Sequence, residues 1–269
     1  MTDQHGKQRQ AARSAVVASG YPFQTAIAAL VTRVGSWRLL GQELPWRGPS
    51  GEDRFLDLAA SSQHLRVTIE CKKTTKETYT FLLPKGFSEP RHGRVLCLQA
   101  FNIEDSTRRI VIENREWLIA PGGPESAFCV VSTSDSGKDR RLLEKDAQDL
   151  IRATDALALR SAAPTTPSWT VPVPLLYIPI LVTNAPLFTA TYDPHDIPVD
   201  TGCLSQSAEL LSEAPFVRFR KAFTSDEGIG ERTVFVVNSS HLAFFLESLS
   251  HVAWEGRTLG RLEPVVRPR

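Results

Sequence analysis

The sequence predicts an α/β fold, a central mixed sheet flanked by helices, with further strands and a helix added at the C-terminal end. Three observations carry that reading. Between residues 37 and 73, three runs with strand patterning are separated by short turn signals, the mark of a meander. Ahead of it Phe23, Ile27, Leu30, Val31 and Val34 recur at helical spacing, and beyond it Leu142, Leu143, Ala147, Leu150, Ile151, Thr154 and Leu157 do the same. The apolar runs 175–182 and 187–192 then read as strands that complete a sheet rather than start a free domain.

Taken in order, residues 1–10 are polar and predict a frayed end, followed by a short helix up to the Gly20-Tyr21-Pro22 break. Pro22 suits the first turn of a helix over 22–34, and Gly35 suits its stop. Strands are predicted over 37–46, 54–60 and 65–73, with turns at 47–53 and 61–64. After the polar stretch 74–80 and the loop 85–94, strands are expected over 95–101 and 109–113, then an irregular region ending in Pro121-Gly122-Gly123-Pro124. Residues 128–131 suit a buried strand, 139–160 an amphipathic helix, and the Ala, Thr, Ser and Pro of 161–174 a linker. A loop over 194–207, strands over 216–221 and 233–237, and a helix marked by Leu242, Phe245, Leu246 and Leu249 close the chain. The expected organisation is one domain over 1–269, with a core motif region at 11–160 and a C-terminal extension of the sheet at 170–269. Two lobes joined at the linker are the alternative.

Lys and Arg number 31 against 30 Asp and Glu, so no global field draws this chain to a polyanion and any such binding must come from local patches. The four cysteines, Cys71, Cys97, Cys129 and Cys203, are widely spaced, which predicts reduced thiols and a cytoplasmic setting. The first residues have no apolar core to suggest a signal peptide, and Pro172, Pro174 and Pro179 interrupt the longest apolar stretch, so no membrane span is expected. The histidines form no zinc spacing with cysteine; the Gly137-Lys138 pair lacks the rest of a phosphate loop; no G-x-S-x-G occurs.

Chemistry concentrates in the third strand. Leu65, Val67, Ile69 and Cys71 alternate with Arg66, Thr68, Glu70 and Lys72, so Glu70 and Lys72 share a face at the strand end. Asp57 lies in the preceding strand among Phe55, Leu56, Leu58 and Ala59, where a carboxylate needs a partner or a metal. Two carboxylates on neighbouring strands can offer hard oxygen ligands to Mg²⁺ or Mn²⁺, and a lysine beside them can orient water and offset charge on a phosphate. A plain surface ion pair between Glu70 and Lys72 is the structural alternative. The basic residues Lys73, Lys76, Lys85, Arg91 and Arg94 follow the motif and suit either phosphate contacts or a solvated loop. Arg218, Arg220 and Lys221 read as an exposed strand face.

On Phe23-Gln24, Phe55-Leu56-Asp57-Leu58 and Ile69-Glu70-Cys71-Lys72-Lys73, residues 14–80 resemble the PD-(D/E)XK nuclease superfamily, the restriction-endonuclease-like fold. The resemblance implies a Mg²⁺- or Mn²⁺-dependent endonuclease acting on DNA, with a role in restriction or phage defence. Asp57, Glu70 and Lys72 match its catalytic positions; Asp57, Glu70 and the Cys71 carbonyl match its metal ligands. The sequence departs from the family pattern in having no proline before Asp57, and in placing Gln24 and Phe55 where accessory acids are common. Glu43 and Glu52 are candidate substitutes. The competing expectation is an inactive binding or assembly module on the same fold. Its C-terminal half would then dock a protein partner or a second copy.

Overall fold

The computed structural model of the chain describes residues 2–48, 50–85, 92–102, 108–132, 142–162, 175–204, 210–225 and 228–250. Helices α1 (Thr2–Ala18) and α2 (Tyr21–Arg33) precede the meander of β1 (Arg38–Arg47), β2 (Asp53–Ser62) and β3 (Leu65–Lys72). Then come β4 (Thr78–Pro84), β5 (His92–Asn102), β6 (Arg108–Leu118), β7 (Glu125–Ser126) and β8 (Cys129–Ser132). Helix α3 (Leu142–Ala162) leads to β9 (Leu175–Thr183), β10 (Leu187–Tyr192), β11 (Leu210–Glu213), β12 (Phe216–Ser225), β13 (Gly228–Asn238) and α4 (Leu242–Ser250).

Nine strands make one mixed sheet along the path β1-β2-β3-β9-β13-β12-β7, with β5 also pairing β9 and β6 outside it. The meander is antiparallel, whereas β9 runs parallel to β3 from Leu65–Leu176 to Lys72–Thr183. A second sheet has the order β11-β10-β4-β8. Strand β9 is buried along its whole length, as a central strand covered on both faces must be. One face of the large sheet, including Val67, Ile69, Ile178 and Ile180, packs on Ile27 and Val31 of α2 and on Leu242, Phe245 and Leu246 of α4. The other face meets Leu143, Ala147, Leu150 and Ile151 of α3, joined by Phe81 and Leu187 of the second sheet. Burying each such Val, Ile, Leu or Phe contributes about 1.5–3 kcal/mol, so helices on both faces hold the sheet.

The hydroxyls of Thr68 on β3 and Thr154 on α3 lie 2.7 Å apart in the buried interface. Four residues further along β3 stands Lys72, and eight residues back along α3 stands Asp146. The two rises are about 13 Å and 12 Å, so a helix laid antiparallel on the strand and pinned at the threonines brings Asp146 level with Lys72.

The sequence reading needs four corrections. Residues 2–10 belong to α1 instead of fraying, because their Gln, Lys and Arg favour helix even without an apolar stripe. Strand β6 continues through Leu118, where irregular chain was expected. The sheet gains β7, and β11 falls within the second sheet. Arg218 is wholly buried instead of lying on an exposed face, because both sides of β12 are covered. The charged run 138–141 and the linker residues 163–174 lie outside the described residues.

Candidate functional site

Helix α3 and the ends of β2 and β3 build one half-buried cluster. The β2–β3 ladder runs from Ser62–Leu65 to Leu58–Ile69 and then stops. Beyond it the strands are joined by a side chain: the Cys71 N–H donates to Asp57 Oδ2 at 2.7 Å. Asp57 therefore replaces a carbonyl in the pairing and is held against β3. Lys72 Nζ lies 3.0 Å from Glu70 Oε1 on its own strand and 3.1 Å from Asp146 Oδ1 on α3. The lysine bridges sheet and helix, which goes beyond a hairpin ion pair.

On the other side of Asp57, β1 contributes Glu43. The register brackets it between Gln42–Leu58 and Leu44–Leu56, so it falls opposite Asp57. Its backbone is left-handed, φ 49°, a conformation that costs a non-glycine residue about 1–3 kcal/mol and persists where surroundings enforce it. The buried Gln24 of α2 donates to Glu43 Oε1 at 2.6 Å and to the Asp57 carbonyl at 3.1 Å. Gln24 thus ties an acid on β1 to the catalytic candidate on β2. Gln24 and Glu43 belong to the cluster, whereas Glu52, at the turn before β2, pairs with Arg54 at 2.8 Å.

Three carboxylates, Asp57, Glu70 and Asp146, share one ammonium, and their titration shows the excess. Glu70 is pushed up to about 7, first by burial and then by the Asp57 charge, with Lys72 opposing. Asp57 is raised by burial and by Glu43, while the Cys71 N–H and Lys72 pull it down. Asp146 is raised by burial against the pull of Lys72. Lys72 moves up, since burial disfavours its charge but Glu70 and Asp146 outweigh that. The Cys71 thiol is raised by burial and packs on the α2 side of the sheet, leaving its backbone to the site.

The basic candidates are not gathered in one place. Lys73, exposed, turns its Nζ to the carbonyls of Val17 and Ser19 at the end of α1. Beyond it, Asn184 clamps Thr74 with hydrogen bonds of 2.7 and 2.8 Å to its N–H and carbonyl, fixing the loop after the motif to the end of β9. Lys76 and Lys85 are exposed, on that loop and at the end of β4. Arg94 is on β5, its N–H donating to Thr233 of β13, so β9 separates it from β3. Arg91 lies outside the described residues.

Asp146 is the residue that sequence reasoning missed. On its own it is one more acid on an amphipathic helix, and only its spacing from Thr154, which belongs to the inward face, points to it. Among the described residues, no three His, Cys, Asp or Glu side chains gather as a metal cage. No single described helix is long and apolar enough to cross a membrane. Comparison with family models, with curated proteins and with solved structures finds no match.

Proposed function

We propose that this chain is a metal-dependent nuclease hydrolysing phosphodiester bonds in DNA, on the restriction-endonuclease-like plan its sequence resembles. The observation that carries the reading is the bridging position of Lys72, between Glu70 on its own strand and Asp146 on α3, with Asp57 locked beside them on β2. The helix and three-strand frame that carries the resemblance, with a parallel strand on the far side of β3, supports it. A role in restriction or phage defence is an analogy of fold.

Two half-buried carboxylates, with the Asp57 charge raising the proton affinity of Glu70, are a donor set suited to a hard divalent ion. Asp57 and Glu70, with the Cys71 carbonyl, would hold Mg²⁺ or Mn²⁺. Such an ion polarises phosphate oxygens and lowers the pKa of bound water. The chain's own residues do the rest. Lys72 presents a fixed ammonium where a phosphate would gain negative charge, and it donates hydrogen bonds that orient the attacking water. Asp146 keeps that ammonium in place when Glu70 turns to other partners. Gln24 holds Glu43 beside Asp57.

One observation favours the inactive module: three side-chain ligands are not gathered among the described residues. An assay with single-stranded DNA, duplex DNA and RNA in Mg²⁺ and in Mn²⁺ separates the two. Metal-dependent cleavage is expected, lost in Asp57→Ala, Glu70→Ala and Lys72→Ala with circular dichroism unchanged. Cleavage that persists in all three variants would overturn the assignment, and absence of Mg²⁺ and Mn²⁺ binding by calorimetry would favour the module.

A further inference from the structure

Helix α1 has seventeen residues and a span of about 25 Å. Every side chain described on it, from His5 to Ala18, is exposed. A helix normally owes its place to an apolar face laid on a core, and this one has none. It departs from α2 at a 51° bend, and Lys73 fastens its last turn through the carbonyls of Val17 and Ser19. Lys73 directly follows Lys72, so α1 is fastened one residue past the candidate site, on the α2 side of the strand end.

Its charge is one-sided. The helix carries Lys7, Arg9 and Arg13 against the single acid Asp3. Arg9 and Arg13 are one turn apart, in line with His5 before them and Val17, the anchored residue, after them. Like charges at that spacing destabilise a helix by about 0.2–0.5 kcal/mol in water, a repulsion that a phosphate between them removes. Steps of about 6 Å along the helix let both guanidiniums reach one nucleic-acid backbone, and Arg is the residue best suited to phosphate.

We propose that α1 is a nucleic-acid-binding arm, on which Arg9 and Arg13 clamp the phosphate backbone of a duplex leading into the Lys72 site. The choice of duplex DNA as occupant rests on the nuclease reading and on this charge complementarity. Lys73 serves the arm as its anchor, fixing the direction in which the helix leaves the body.

The test uses the full chain in EDTA, where no metal-dependent cleavage occurs, with a fluorescent 20-base-pair duplex followed by anisotropy over a salt series. Arg9→Gln/Arg13→Gln should weaken binding about 10-fold near 0.1 M salt and make the plot of log affinity against log salt shallower by about 2, while Arg9→Lys/Arg13→Lys retains the wild-type slope. Circular dichroism of each variant reports whether α1 stays helical. An unchanged affinity and slope in the Gln pair would overturn the proposal, as would wild-type chain that binds no duplex. So would a Gln pair that alters sedimentation but not DNA affinity, which would make α1 a contact between copies. Wild-type chain that binds through α1 yet never cleaves in Mg²⁺ or Mn²⁺ overturns the nuclease reading and leaves the arm standing.

Discussion

Two charged clusters sit in the same large sheet, and they differ in balance and in which charges are enclosed. Around Lys72, three carboxylates, Asp57, Glu70 and Asp146, share one ammonium, with Glu43 beyond Asp57, and the Glu70 and Lys72 side chains keep 24% and 31% of their surface exposed. In the C-terminal half, Arg218, Arg220 and Arg232 interact with Glu125, Glu231 and Asp155. Arg232 lies 2.5 Å from Asp155, and Arg220 reaches Glu231 at 2.9 Å and Glu125 at 3.4 Å. Arg218 and Arg232 are 0% and 2% exposed, and they stack on Phe235 and Phe223. Opposite charges in equal number, with two of the arginines enclosed and Glu231 and Asp155 left 41% and 33% exposed, are what a scaffold requires of buried ions. A surplus of one sign left partly open is a deficit that an incoming cation can fill.

Exchanging one cation from each cluster for methionine tests this division most severely. Lys72→Met should reduce cleavage by about three orders of magnitude or more while the melting temperature stays within a few degrees. Arg232→Met should instead cost about 2–3 kcal/mol in urea unfolding, because it leaves the partly buried Asp155 without its ion-pair partner, and the folded fraction should still cut DNA at the wild-type rate. If both substitutions acted on stability alone, the two clusters would be equivalent and the distinction would fail.

A smaller effect separates holding Lys72 from being Lys72. Asp146→Asn leaves the ammonium with Glu70 alone, so single-turnover cleavage at saturating Mg²⁺ should slow about 10- to 100-fold without vanishing. A rate equal to wild type would make Asp146 an ordinary helix acid. The smallest effect is a dependence of stability on pH. Glu70 holds its proton up to about 7 in the folded chain, above its ordinary value of 4.5, so the folded state binds more protons than the unfolded one between those values. Stability from this group is full below pH about 4.5 and falls as pH rises through about 7. Glu70→Gln removes that loss and should stabilise the metal-free chain by about 1–3 kcal/mol at pH 8, with the difference vanishing below pH about 4.5. Melting curves of both proteins from pH 4 to 9 measure it.

The meander and its three motif residues were legible in the sequence because period two fixes which side chains share a face, and β-branched and apolar residues mark the strands. Glu43 and Gln24 were readable as candidates but not as partners. Their contact depends on α2 crossing the sheet edge, which no local pattern encodes. Asp146 was invisible for the same reason at longer range: the pin between Thr68 and Thr154 that aligns it joins two polar residues far apart in sequence. Arg218 was misread because alternation separates inside from outside only where one face is wet, and β12 has no wet face along its Phe216–Phe219 stretch. The first half of α1 escaped because the apolar periodicity that usually betrays a helix is missing from residues 2–10.

The left-handed turn of the backbone at Glu43 has a second consequence, for solubility. Strand β1 lies at one end of the path through the nine-strand sheet, and a long outer strand with free N–H and carbonyl groups is a template on which another chain can grow a sheet. Here that template is interrupted three times within ten residues: the register shifts between Leu39 and Gly41, the chain reverses hand at Glu43, and Pro45 offers no donor. The distortion that turns an acid toward Asp57 also deprives a would-be fibril of a straight edge to copy.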